Sequence, residues 1–208
     1  REVFSSGIAK YEYLGLLKDG EHENIMADVF KKFLKDKQGC TDNEVERVYT
    51  ELHKSSVCYQ AASLYKQNKE VYNALRYGIK VIDENDPLHK KKTIYPIDWE
   101  NPERNVFAIA EEVTVKKSTE TEEHRRPDIV IFVNGIAMVV IELKSEVVSV
   151  KEAMRQHWRN QQDGEIPGFF STVQLCTAGN AKEGLYSGTI LTRGNYYVTW
   201  REEAGQPC

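Results

Sequence analysis

At 208 residues, with 40 % hydrophobic and 29 % charged side chains, the chain is sized for one large domain with its own core and is not compositionally disordered. Its longest apolar run, 136–141, falls far short of a bilayer span, and no basic start followed by an apolar stretch marks a secretion signal, so a cytoplasmic protein without membrane contact is expected. A formal net charge of −4 and a pI near 5.8 argue against a domain that holds a polyanion unaided through bulk charge.

The first half reads as helices. Over 24–37 the apolar set Ile25, Val29, Phe30, Phe33 and Leu34 recurs at helical spacing, and Gly39 follows as a stop. Thr41-Asp42-Asn43-Glu44 has the pattern of a capping box, and the helix it opens carries Val45, Val48 and Leu52 on one face. A third helix is expected over about 57–75, with Tyr65, Tyr72 and Leu75 inward, ending near Gly78. The period then changes. Stretches 78–82, 93–97 and 106–115, rich in β-branched and apolar residues, predict strands. Two longer runs, 128–133 and 136–144, are apolar at nearly every position, which predicts central strands covered on two faces. Asn134-Gly135 between them is a hairpin signal. A helix over 150–161, a strand near 172–177 and another near 196–200 complete the order. No repeat or low-complexity tract divides it, so one domain over 1–208 is expected, of α/β class, with a mixed central β-sheet flanked by helices.

Charged residues interrupt the apolar hairpin at its open end: Asp128 at the entrance, Glu142 and Lys144 at the exit, the latter two in the chain's single Asp/Glu-x-Lys. Burying a carboxylate or an ammonium is costly unless it is paired or bound to a metal. One ion pair accounts for two of the three and leaves the second acid unexplained. Side chains alternate along a strand, so Glu142 and Lys144 share a face. A plain two-residue loop would pair Val133 with Ile136 and Asp128 with Ile141, turning Asp128 away from Glu142. A three-residue connection closed by a G1 bulge, or an equivalent bulge, shifts the parity by one and puts all three on one face, and that offset is the expectation. Asp128 and Glu142 then offer oxygen ligands to Mg2+, with Mn2+ as a substitute, and the Leu143 backbone carbonyl adds a third. Lys144 is placed to orient or deprotonate a metal-bound water and to offset charge developing at phosphorus. Arg125 and Arg126, just upstream, are candidates to hold a phosphate of the cleaved strand. The chemistry expected is in-line hydrolysis of a phosphodiester.

Other features carry less. Cys40, Cys58, Cys176 and Cys208 form no C-x-x-C pair and are expected to be reduced thiols. Lys90-Lys91-Lys92 and Lys116-Lys117 read as solvated loops. Glu23, beside His22, is an outside candidate for a further acid, although the macrodipole favours a glutamate at a helix start in any case.

The string Arg126-Pro127-Asp128-Ile129-Val130-Ile131-Phe132-Val133-Asn134-Gly135, running on to Val140-Ile141-Glu142-Leu143-Lys144, closely resembles the N-terminal nuclease domain of the restriction (R) subunit of type I restriction enzymes, in the PD-(D/E)xK superfamily. Support extends over about 25–200, through Asn73-Ala74-Leu75-Arg76-Tyr77-Gly78-Ile79, the stretch 97–107, and the late segments 177–181 and 188–200. The resemblance implies a restriction-endonuclease-like fold and a nuclease joined to an ATP-driven DNA translocase. Its expected partners are double-stranded DNA and the modification and specificity subunits. On that reading the chain, which opens on Arg1 rather than Met, is a piece of a longer motor subunit. It contains no Gly-x-x-x-x-Gly-Lys-Ser/Thr loop, so ATP belongs to motor domains outside it. The family carries Gln-x-x-x-Tyr on the helix after the lysine; here the segment reads Gln156-His157-Trp158-Arg159-Asn160. The resemblance therefore carries Gln156 over as a site residue and leaves the role of the tyrosine open at Asn160. His157 and Trp158 either line the cleft or simply pack. Two other functions fit the same residues. One is a stand-alone repair nuclease, which has to cut DNA by itself. The other is a non-catalytic assembly or DNA-docking module whose charges form only a salt-bridged core.

Overall fold

In the computed structural model, which describes residues 11–57, 63–83, 86–88, 90–119 and 122–201, seven strands form one mixed sheet. Along the chain run β1 (Tyr11–Leu16), α1 (Ala27–Gln38), α2 (Asp42–Val57), α3 (Leu64–Tyr77), β2 (Ile79–Ile82), β3 (Lys91–Ile94), β4 (Phe107–Glu111), β5 (Val115–Lys116), β6 (His124–Arg125), β7 (Ile129–Val133), β8 (Ile136–Leu143), α4 (Val150–Asn160), β9 (Leu175–Asn180), β10 (Gly184–Gly188) and β11 (Val198–Thr199). The large sheet has the order β1-β4-β7-β8-β9-β10-β11. β1 runs parallel to β4 and β8 parallel to β9, while the other neighbours are antiparallel. The expected mixed α/β sheet flanked by helices is therefore the architecture observed, and the apolar runs 128–133 and 136–144 supply its central pair.

Those two strands are joined by Asn134 and Gly135, both at positive φ (53° and 80°), so the loop has two residues rather than three. The expected parity shift comes from a bulge inside β8 instead. Val133 pairs with Ile136 and Phe132 with Ala137, but Ile131 pairs with Val139, leaving Met138 as the extra residue. The bulge sits where β8 changes neighbour. Before it, the Ala137 amide donates to Asn24 O and Ile136 bridges to Ile25; after it, Val139 pairs with Leu175 and the β9 ladder begins. The turn itself is buried. Asn134 bonds through its side chain to the Val106 amide, Pro96 O and Asn105 Oδ1. A Cβ on Gly135 would stand 2.9 Å from Met26 O.

Helices α1 to α3 close over this turn end. Phe30, Phe33 and Leu34 meet Val45, Val48, Leu52, Val71 and Leu75 around Ile136. The capping box forms as expected, with Glu44 N–H donating to Thr41 Oγ1 at 3.3 Å and Thr41 N–H to a Glu44 carboxylate oxygen at 2.9 Å. In α3 the inward stripe is Leu64, Gln67, Val71 and Leu75, which turns Tyr65 and Tyr72 out to solvent, contrary to expectation.

On one sheet face Val130, Phe132, Val140 and Cys176 are sealed with Phe169 and Phe170, and α4 lies across β8 and β9. The other face of β7 and β8 is only half-buried at Ile129, Ile131, Val133, Val139 and Ile141, so coverage of both faces, expected from the apolar runs, is complete on one side only. The expected strand over 106–115 ends at Glu111, where Glu112 takes a φ of 51°, and β2 with β3 forms a separate ribbon. The strand expected near 172–177 is shifted to β9, because Phe169–Ser171 forms a 3-10 turn first. Cys40 and Cys176 are free and buried, while Cys58 and Cys208 lie outside the described residues. Among the described residues no helix is long and apolar enough to cross a membrane.

Candidate active site

Asp128 immediately precedes β7, and extension of the Ile129–Ile141 pair sets it opposite Glu142 near the end of β8. The Asp128 Oδ2 accepts the Leu143 amide at 2.7 Å, tying the open ends of the two strands together. The Lys144 amide bonds Gly179 O at 2.9 Å, continuing the ladder to β9. From α4, Gln156 reaches across the helix–sheet interface. Its amide Nε2 donates to Glu142 Oε2 at 2.6 Å and its carbonyl oxygen accepts from Lys144 Nζ at 2.7 Å. Asp128, Glu142, Leu143, Lys144 and Gln156 are thus brought to one place.

Glu142 is fully buried. Burial first, then the like charge of Asp128, hold its carboxyl well above the usual carboxylate range, against the opposing pull of Lys144 and Arg159. A fully buried acid and a half-buried one stand side by side, with one ammonium tied to Glu142 by way of the Gln156 amide, and the pair is short of positive charge. A divalent cation would supply it. The donor set, two carboxylates and the Leu143 carbonyl, fits Mg2+, which takes one or two protein carboxylates and keeps several waters. Among the described residues no group of three or more His, Cys, Asp or Glu side chains could hold a metal, so a third protein ligand here would have to come from the main chain.

Asn160, where the resemblance left a role open, lies one turn after Gln156 with its Nδ2 at 3.5 Å from Glu142 Oε1; its own Oδ1 is buried with no partner. The i, i+4 relation to Gln156 is the signal that places both amides on the same helix face. His157 packs rather than lining a cleft. It is fully buried against Phe170 and Tyr197, with Nε2 at 2.8 Å from Thr177 O, and burial lowers its pKa to about 4. Trp158 lies under the Arg193 guanidinium, away from the carboxylates.

The other candidates separate. Arg125 is held by Glu165 through two bonds, at 2.5 and 2.8 Å, so its guanidinium is engaged in an ion pair. Arg126 stays exposed next to Pro127-Asp128, with a weak bond to Thr114 Oγ1 at 3.3 Å. Lys90 and Lys91 are exposed, as expected, while Lys92 is bonded to the buried Glu44 and Lys116 and Lys117 form surface pairs with Glu122 and Glu123. Glu23 reaches His53 on α2. It borders Asn24, which contacts Ala137 at the closed end of the hairpin, roughly 17 Å from Glu142 at five residues of strand rise. His22 and Glu23 do not join the site.

The family described as type I restriction enzyme R protein N terminus matches residues 7–193. The chain belongs to that family. Proteins of Methanocaldococcus jannaschii provisionally named as endonuclease subunits of the type I restriction enzymes MjaIXP, MjaVIIIP and MjaVIIP are similar to it. They are 28 %, 30 % and 32 % identical over 64 %, 51 % and 56 % of this chain. The aligned part is 13 %, 10 % and 10 % of the respective relatives, so this R-subunit N-terminal domain spans about a tenth of their length.

Proposed function

We propose that this R-subunit N-terminal domain is a Mg2+-dependent endonuclease that hydrolyses DNA phosphodiesters within a type I restriction complex, on DNA moved by ATP-driven motor domains outside this chain. The observation that carries the reading is the Met138 bulge, which sets Asp128 opposite Glu142 while Gln156 links Glu142 to Lys144. Bound there, the metal would polarise a phosphoryl oxygen and acidify a water. Asp128, Glu142 and the Leu143 carbonyl would hold it. Lys144 orients the attacking water and offsets charge at phosphorus, and Gln156 fixes the lysine against the glutamate. The names of the relatives, endonuclease subunits of type I restriction enzymes, support the same activity.

Alanine at Asp128, Glu142 or Lys144, tested in the full complex, is expected to cut cleavage by about a hundredfold or more while translocation continues. Full cleavage by all three variants defeats the proposal. A second reading, an assembly module with a self-contained polar cluster, is favoured by one observation: Gln156 already satisfies both Glu142 and Lys144. Calorimetry with Mn2+ separates the two, since a structural cluster gives no binding heat that Asp128→Ala removes.

A further inference from the structure

α4 presents Gln156 to the proposed metal centre. Successive helical positions advance by about 100°, so Arg159, Arg155 and Lys151 stand roughly 60°, 100° and 140° round from Gln156, all on the solvent side. All three are exposed. Arg155 is paired with Glu152, but among the described residues no carboxylate forms an ion pair with Arg159, Lys151 or Arg193. Beyond them opens a cavity of about 470 Å³, walled by Lys151, Met154, Arg155 and Trp158 on one side and by Arg193 to Asn195 on the other. The Arg193 guanidinium stands over the Trp158 ring, 5.6 Å from its centroid, so a flat group would stack on the indole by taking the place of that guanidinium.

Among the described residues no acidic side chain lines this cavity, in a chain whose net charge is −4. Two other cavities differ: one takes in Glu21 and Glu23, the other Asp98 and Glu100. Cations in a row, of which Arg155 alone is in an ion pair among the described residues, ending at an aromatic side chain, match a polyanion whose backbone carries flat groups. A duplex hides those groups in its stack, whereas a single strand offers them. The helix is about 10–12 Å across, a width of about three nucleotides at the rise of one strand.

We propose that Arg159, Arg155 and Lys151, with the Trp158–Arg193 cavity, form a binding path for single-stranded DNA leading away from the Asp128–Glu142–Lys144 centre. Phosphates lie on the cations and an unstacked base lies against Trp158. The path deepens the nuclease reading and rests on it for its purpose, but its binding does not need the metal.

The test is fluorescence anisotropy of a labelled oligothymidylate, and of a duplex of equal length, with the 208-residue chain in EDTA. The wild-type chain is expected to prefer the single strand, and Trp158→Ala to weaken that binding about tenfold with little change for the duplex. The surface pair Lys151→Ala/Arg193→Ala is expected to lower the slope of log affinity against log salt by about 1.4. Asp128→Ala, blocked in cleavage under the nuclease reading, should bind the strand as the wild type does, so the two proposals fail separately. Absent binding, duplex preference, or an unchanged salt slope in the paired variant overturns the path, as does capture of a phosphopeptide in place of the strand.

Discussion

The burial of Glu142 beside Asp128 favours a proton, whereas the proposed metal centre would favour a cation there. Metal and proton therefore compete for the same oxygens. Mn2+ or Mg2+ should raise the melting temperature more at mildly alkaline than at mildly acidic pH, and Asp128→Asn should remove the increment; differential scanning fluorimetry reads both. His157 sets a different pH limit. With its folded pKa lowered from 6.5 to about 4, it adds stability that is complete above 6.5 and is lost as pH falls from 6.5 towards 4, where the unfolded chain binds the proton and the folded one does not. The loss should approach about 3 kcal/mol, and His157→Leu should flatten it in urea melts taken across that range. At this scale Asp128, Glu142 and Lys144 stand out in the sequence because each is a charge in or next to an otherwise apolar strand. Gln156 was legible only through resemblance, and the contact of Asn160 with Glu142 depends on how α4 is rotated on the sheet, which helical spacing alone leaves open.

The hairpin is where parity decides chemistry. Inserting one alanine between Val140 and Ile141 would keep the ladder as far as Val130–Val140 and place Asp128 opposite Ile141, so metal-dependent stabilisation and cleavage should both vanish while far-UV circular dichroism keeps its sheet signal. Gly135→Ala combines a backbone at φ 80° with a contact on Met26 O, and a loss on the order of 2 kcal/mol in chemical denaturation is expected. The need for an odd offset could be read from the sequence by counting from Asp128 to Glu142. Its location could not, since Met138 bulges where β8 leaves the Asn24-Ile25 segment and meets β9, and both neighbours come from distant parts of the chain. The same holds for Tyr65 and Tyr72: their spacing suits a buried stripe, but Leu64, Gln67, Val71 and Leu75 suit it as well and face the core.

Across the whole molecule, the three N-terminal helices grip the closed end of the hairpin and leave the open end, with its acids, at the rim of the sheet. The acidic balance was legible from composition, whereas the cavity beside the cationic row on α4 was not, because Arg193 joins Lys151 and Trp158 only in space. The gripped end also bears on how the protein ages. Asn-Gly is the dipeptide most prone to succinimide closure, in which the glycine amide nitrogen attacks the asparagine side chain and ammonia leaves. Asn134 is buried and moored by three polar partners, so that attack has to wait until the β-ribbon comes apart. Deamidation at this position, followed by mass spectrometry of peptides after long incubation, should track global unfolding and accelerate in Gly135-independent destabilised variants such as Leu34→Ala. Asn134 would then serve as a molecular clock that records each opening of the core.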